Sequence, residues 1–265
     1  MKGIIDFHTH AFPDALAEKA VKLLEAEGGI PARLDGTIAS LLKSMDECGI
    51  EKSVVCSIAT KPSQFEPIMR WSAEIKSDRI IPLPSVHPDD TEILDKIGVI
   101  KAEGFKGVKM HPYYQGFNLN DEKMMSVYEK ICRENLIFVS HTGFDFAFER
   151  IKKSDPVKIV EIHRAFPGLK FVATHMGAWE DWSEVERLMA GKNIYMEISF
   201  SLEFMEKERA KNIIMKHPPE YIMFGTDSPW TGQKETLDLL EVLSLEPALK
   251  SRILRENALD LLNSV

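Results

Sequence analysis

Eight short apolar runs, each followed by a stretch of helical spacing, constrain this chain more than any other feature. They read IIDFH (4–8), KSVVCSI (52–58), RIIPLPSV (79–86), FKGVKMH (105–111), LIFVSH (136–141), LKFVATH (169–175), NIYMEIS (193–199) and YIMFGTD (221–227). From the second run onward their starts lie 24 to 33 residues apart. Strands separated by helices pair in parallel and cross over right-handedly. Eight such units in 265 residues match a (β/α)8 TIM barrel, which takes about 250. The intervening helices carry their own punctuation. PDALAEKAVKLLEAEGG opens at Pro13 and closes on Gly28 and Gly29, TIASLLKSMDECG runs from a Thr37 cap to Gly49, and DPVKIVEIHRAF starts at Asp155 and stops before Pro167. The stretch GGIPARLDG (28–36) belongs to a long first βα connection able to lie over the active-site face. A doubly wound open sheet fits less well, because neither a Gly-x-Gly-x-x-Gly turn nor a Walker loop is present. The expectation is one barrel domain over residues 1–265.

Polar residues collect at the C-terminal ends of these strands. His8 and His10 end the first, Lys109 and His111 the fourth, His141 the fifth, His175 the sixth and Asp227 the eighth. In a closed parallel barrel those ends converge on one mouth, where active sites are built. His8 and His10, two residues apart, point the same way, with Asp6 expected beneath them on the same face. Each has a plain structural reading when taken alone: a hydrogen-bonded core histidine, a helix cap at Asp227, a strand end at His111. Together on one rim they read as a metal site. Neutral imidazole and carboxylate suit zinc and other divalent transition ions. Such an ion lowers the pKa of water from 15.7 to about 7 and polarises a neighbouring carbonyl. Asp227 could both bind the ion and take the water's proton. His163, inside a helical pattern, and His217, in the HPPE turn, are expected to be structural, and His87 is left unassigned.

Composition narrows the function. A net charge of -8 and a pI near 5.6 argue against nucleic acid or an anionic membrane as the main partner. No run approaches the roughly 18 apolar residues of a membrane span, and Met1–Asp6 is too short in apolar residues for a secretory segment. Cys48, Cys56 and Cys132 are odd in number and far apart, as expected of small buried thiols in a reducing cytoplasm. The partner expected is a small-molecule substrate.

The ordered set DFHTH, GFKGVKMHP, VSHTG, ATHMG, FGTDSPW and RILRENALDLL resembles the amidohydrolase superfamily, and within it the amidohydrolase-related family that includes aminocarboxymuconate semialdehyde decarboxylase-like enzymes. The resemblance covers nearly the whole chain. It implies a distorted TIM barrel whose divalent metal, usually zinc, is held by His8, His10, His141 and Asp227, with His175 beside the substrate assisting the chemistry. Members include hydrolases of C–N and C–O bonds and non-oxidative decarboxylases. Binuclear relatives carry a carboxylated lysine on the fourth strand, where Lys109 stands here. TatD-like nucleases commonly place a glutamate in that region.

The reading that follows is a metal-dependent hydrolase of a small amide, lactone or ester, with His175 and Asp227 catalytic. The alternatives are a decarboxylase of an aromatic or unsaturated carboxylic acid, and a barrel that binds metal or ligand without turnover. Lys109, His111 and Trp230 are expected to contact substrate, and Tyr114 and Phe144 to flank a ring beside Trp230. One zinc is expected, two only if Lys109 is carboxylated, since an ammonium has no lone pair for a metal. The final RILRENALDLLNSV has helical spacing and is expected to pack on the barrel's outside. A homodimer is expected on base rate.

Overall fold

The computed structural model describes residues 3–265; Met1 and Lys2, which open the N-terminal stretch discussed above, lie outside them. In chain order the elements are β1 Ile4–Thr9, α1 Asp14–Gly28, α2 Ile38–Cys48, β2 Ile50–Cys56, α3 Phe65–Ile75, β3 Ile80–Leu83, α4 Ile93–Ala102 and β4 Gly107–Met110. There follow α5 Glu122–Arg133, β5 Ile137–Ser140, α6 Pro156–Ala165, β6 Lys170–Ala173, α7 Trp182–Leu188, β7 Tyr195–Glu197, α8 Lys207–Lys216, β8 Ile222–Met223, α9 Gln233–Val242, α10 Pro247–Ser251 and α11 Asn257–Asn263. All eight expected strands form: β1 extends its run by one residue, β2 is displaced by two, and the other six are shorter than their runs. Helix α2 starts where Thr37 Oγ1 accepts from the Ser40 amide at 3.1 Å, and α6 where the Asp155 carboxylate accepts from Val157 at 3.1 Å.

Every strand pair is parallel, in the orders β1-β2-β3 and β4-β5-β6-β7-β8. Isolated backbone bonds, outside the continuous ladders, close the two seams. Across β8 and β1, Phe7 N donates to Phe224 O at 2.9 Å and Asp227 N to His8 O at 2.7 Å. Across β3 and β4 the Lys109 amide donates to Pro84 O at 2.9 Å. The break at β3 has a covalent cause: Pro82 and Pro84 have no N–H to give, so the ladder to β4 cannot be completed. The result is the distorted (β/α)8 barrel anticipated from the alternation.

One apolar cluster fills the space between strands and helices, and a second fills the barrel. In the second, Val139 and Val172 stand in register with the inward-facing Lys109 and join Ile5, Phe7 and Val54. Ala258, Leu261 and Leu262 of α11 belong to this interior cluster. Around them Lys106 Nζ donates to Val265 O at 2.9 Å, and Lys170 Nζ and Asn135 Nδ2 both reach Ser264 O, at 2.6 and 3.0 Å. Those partners lie at the N-terminal ends of β4, β5 and β6. Helix α11 therefore floors the barrel, which corrects the expectation that it packs outside. Helical spacing identifies an apolar face but not which apolar surface receives it.

A second correction concerns Asp6. Its carboxylate accepts from Thr226 N at 3.0 Å, Thr226 Oγ1 at 2.7 Å and Gln233 Nε2 at 2.9 Å, tying β1 to the segment after β8. The register of β1 against β2 slips between Asp6 and Thr9, so strict alternation fails just where the histidines begin. Burial pushes the Asp6 carboxyl up to about 7, against the hydrogen bonds that favour its ionised form.

Candidate metal centre and active site

His8 and His10 leave the end of β1 with their Nε2 atoms 3.2 Å apart. Asp227 Oδ1 lies 3.4 Å from the first and 3.1 Å from the second. Asp227 reaches them from a left-handed backbone, φ +61°, fixed by its amide bond to His8 O. His175 also stands in the left-handed region, at φ +58°, followed by Met176 at +54° and Gly177 at +88°. This uncommon run is held by Met176 N on Glu197 O and by Trp182 Nε1 on His175 O. His141 Nδ1 lies 3.0 Å from His175 Nε2. The His175 ring bridges the two halves of the cluster, its centroid 5.4 Å from His8 and 4.8 Å from His141.

The far nitrogen of each ring is already committed. His10 Nδ1 faces Cys56 O at 2.7 Å, His141 Nε2 faces Phe144 O at 3.0 Å, and His175 Nδ1 faces Ser199 O at 3.2 Å. A carbonyl oxygen can only accept, so each of these nitrogens carries the hydrogen and the opposite nitrogen carries a lone pair. His8 Nδ1 likewise donates to Glu197 Oε1 at 3.0 Å. Four imidazole lone pairs and one carboxylate oxygen therefore face one another, some at 3.0–3.2 Å with no hydrogen between them. Such an arrangement repels unless a cation sits among the donors, and locked outer nitrogens are the mark of metal-ligating histidines. The donor set fits a divalent transition ion. His8, His10 and Asp227 form one compact ligand group, and His111, His141 and Asp145 a second. Burial holds His8, His141 and His175 well below the usual histidine range, so each is neutral and able to bind a metal.

Lys109, on β4, is buried with its Nζ 3.0 Å from His8 Nε2. Burial pulls its pKa down, with Cys56, Asp227 and Glu197 opposing. His111 stacks on His141, with centroids 4.2 Å apart and planes 17° from parallel, and its Nε2 lies 3.3 Å from Asp145 Oδ2. These groups open into a cavity of about 630 Å³ whose wall includes Trp230 and Tyr114, a size usual for small-molecule sites. Phe144, expected beside them, does not line it. It lies under the Arg150 guanidinium at 4.1 Å, and the cavity wall takes Phe146 instead. His163 lies in the last turn of α6, and His217 is buried with Nε2 donating to Ile194 O at 2.8 Å. His87 accepts from the Asp89 amide at 3.2 Å and does not reach the cavity.

Two residues that organise the site went unread in the sequence. Glu197 accepts from His8 Nδ1, from the amides of His175 and Ser199, and from Ser199 Oγ. Burial pushes its carboxyl up to about 8 against those bonds. Ser199 Oγ sits 3.1 Å from both His8 Nδ1 and His175 Nδ1. The available signal was a charged residue inside the apolar run NIYMEIS.

The family model for amidohydrolases matches residues 5–263. The chain belongs to the amidohydrolase family. Amidohydrolases of this kind are metal-dependent enzymes, and this chain carries a matching His/Asp cluster. Among proteins of curated function, no sequence matches the chain. Solved structures share its fold at low identity. The dihydroxybenzoic acid decarboxylase of Polaromonas sp. JS666, with bound manganese and the inhibitor 2-nitroresorcinol, is 14% identical at a TM-score of 0.74, covering 99% of this chain and 97% of that one. The 5-carboxyvanillate decarboxylase of Sphingomonas paucimobilis is 13% identical at 0.72, with 99% of each chain covered. A protein of Pseudomonas putida provisionally assigned as a 2-pyrone-4,6-dicarboxylic acid hydrolase is 14% identical at 0.66, covering 100% of this chain and 98% of that one. Among the described residues, no helix is long and apolar enough to cross a membrane.

Proposed function

We propose that this amidohydrolase is a zinc-dependent hydrolase of a small amide, lactone or ester, with His8, His10, His141 and Asp227 as metal ligands. The observation that carries this reading is the division of labour within Asp227. Its Oδ1 faces the lone pairs of His8 and His10, whereas Oδ2 has no partner among the described residues and the side chain lines the cavity. One oxygen can hold a metal while the other takes a proton from water. A divalent ion held by these residues would supply an acidified water and a polarised carbonyl, and Asp227 would receive that water's proton. His175, fixed as the Nδ1–H tautomer by Ser199, presents an acceptor nitrogen; it would stabilise an oxyanion after taking up the proton that Asp227 removes from water, and that same proton would then pass to the leaving group.

Decarboxylation of an aromatic carboxylic acid is the second reading. It is favoured by Lys109, a buried amine with no carboxylate within ion-pair distance among the described residues, in a cavity walled by Trp230 and Tyr114. Lys109 contacts a substrate carboxylate in that case and His111 supports its ring. Purified enzyme challenged with lactones, esters and amides beside aromatic carboxylic acids, with CO2 release as a parallel readout, separates the two. Turnover of the first set without CO2 supports hydrolysis, and CO2 release from the second overturns it. Asp227→Asn is expected to cost about a hundredfold or more in kcat, whereas a barrel that only binds metal would lose nothing measurable. One zinc per chain is expected, with Lys109 free against His8, and metal content near two per chain overturns that stoichiometry. The three free cysteines are consistent with a cytoplasmic enzyme.

A further inference from the structure

Helix α1 has two apolar faces and only one is packed. Ala17 and Val21 are buried against the barrel. Leu16, Ala20 and Leu23, at spacings of four and three residues, form a second stripe that faces the active-site cavity, and both leucines are 55% exposed. Across the same cavity α3 presents Pro67, Ile68 and Trp71, again at helical spacing. The unpartnered stripe of α1 and the half-buried Ile68 and Trp71 of α3 thus flank one slot, which runs outward from the metal cluster along about 10 Å of α1, seven residues at 1.5 Å each. Its one cationic group lies at the inner end, and Glu27 on α1 with Thr60 and Gln64 beside α3 are the polar residues farther out. Lys109 is the only lysine or arginine among the lining residues, whereas Glu27, Asp145 and Asp227 are all acidic. A second anionic group on a substrate would find no cationic partner along the slot and would meet Glu27 instead.

We infer that the substrate is an amphiphile, with a single carbonyl or carboxylate head at the metal cluster and an uncharged, apolar tail seated between α1 and α3. This rests on the metal-enzyme reading for the head and on the helix stripes alone for the tail. The continuity of the slot with the cluster selects substrate over a separate partner, because whatever fills the slot must enter past the same mouth. Burying each tail methylene there strengthens binding roughly fourfold.

Straight-chain carboxylates from butanoate to dodecanoate, titrated calorimetrically into the zinc-loaded protein, test the inference. Affinity is expected to rise roughly fourfold per methylene and level off once the tail outruns the stripe. Leu16→Glu and Leu23→Glu, at exposed positions where folding is not at stake, are each expected to flatten that slope. A slope that persists unchanged in both variants, or no dependence on length, overturns the inference. So does conversion of a dimer to a monomer by Leu23→Glu with the slope intact, which would assign the stripe to a second copy of the chain. His10→Ala dismantles the metal site without touching the stripes, so an intact slope there supports the slot even if ester turnover is never found. A slope lost with the metal overturns the tail assignment.

Discussion

At the scale of single residues, the site is governed by which nitrogen of each imidazole carries the hydrogen. Backbone carbonyls of Cys56, Phe144 and Ser199 decide this for His10, His141 and His175, and Glu197 decides it for His8. His175→Ala is expected to retain metal, because the His8, His10 and Asp227 group survives, while turnover falls by about a hundredfold or more. His8→Ala is expected to lose both. Elemental analysis beside a kinetic assay checks the contrast, and equal metal loss in the two variants would reverse the assignment of His175. Glu197→Gln keeps the volume but weakens the hold on His8 Nδ1, and metal affinity is expected to drop about 10- to 100-fold, measured by competition with a chelator. The rim residues His8, His10, Lys109, His111, His141, His175 and Asp227 were legible because strand ends of a parallel barrel share one mouth, and all seven line the cavity. Glu197 and Ser199 were not, because a buried carboxylate in an apolar strand reveals its partners only once the strands are in register.

At the scale of elements, the helix limits were the most legible feature. Thr37, Gly49 and Asp155 punctuate the chain through local bonds that sequence alone specifies. Loop geometry was less visible. Phe144 and Phe146 differ in role because the loop after β5 turns at Gly143, φ +92°, where an added Cβ would come within 2.0 Å of Trp179 N. Gly143→Ala is therefore expected to cost about 3 kcal/mol or more through strain and displacement, read as a lowered urea midpoint with loss of activity. His217, which caps α8, provides a pH test away from the metal cluster. Burial lowers its pKa from 6.5 to about 4. The unfolded chain takes up a proton near 6.5 and the folded chain only near 4, so acidification through that window favours unfolding. The contribution lost is about 2 kcal/mol between pH 7 and 5, and about 3 kcal/mol below 4. His217→Gln can still donate to Ile194 O but does not titrate. Its urea midpoint is expected to fall less than that of the natural protein between pH 7 and pH 5.

At the scale of the whole molecule, the eightfold alternation made the architecture readable, whereas the placement of α11 was not, since inside and outside of a barrel are both apolar surfaces. Leu261, 1% exposed in the floor, offers a direct check. Leu261→Ala is expected to cost about 2 to 5 kcal/mol, visible as a lower melting temperature, whereas a helix merely resting on the exterior would lose less. The seam between β8 and β1 has a further consequence, one of timing. The first strand synthesised has no neighbour on one side until the eighth emerges, and His8 and His10 wait beside an empty place for Asp227. Contacts separated by so much chain form late and slowly. Metal capture by the full set of candidate ligands is thus deferred until the ring is whole, and a ribosome-bound chain stalled before residue 227 carries His8, His10 and His141 without Asp227. Metal uptake during translation would report the closing of the barrel itself.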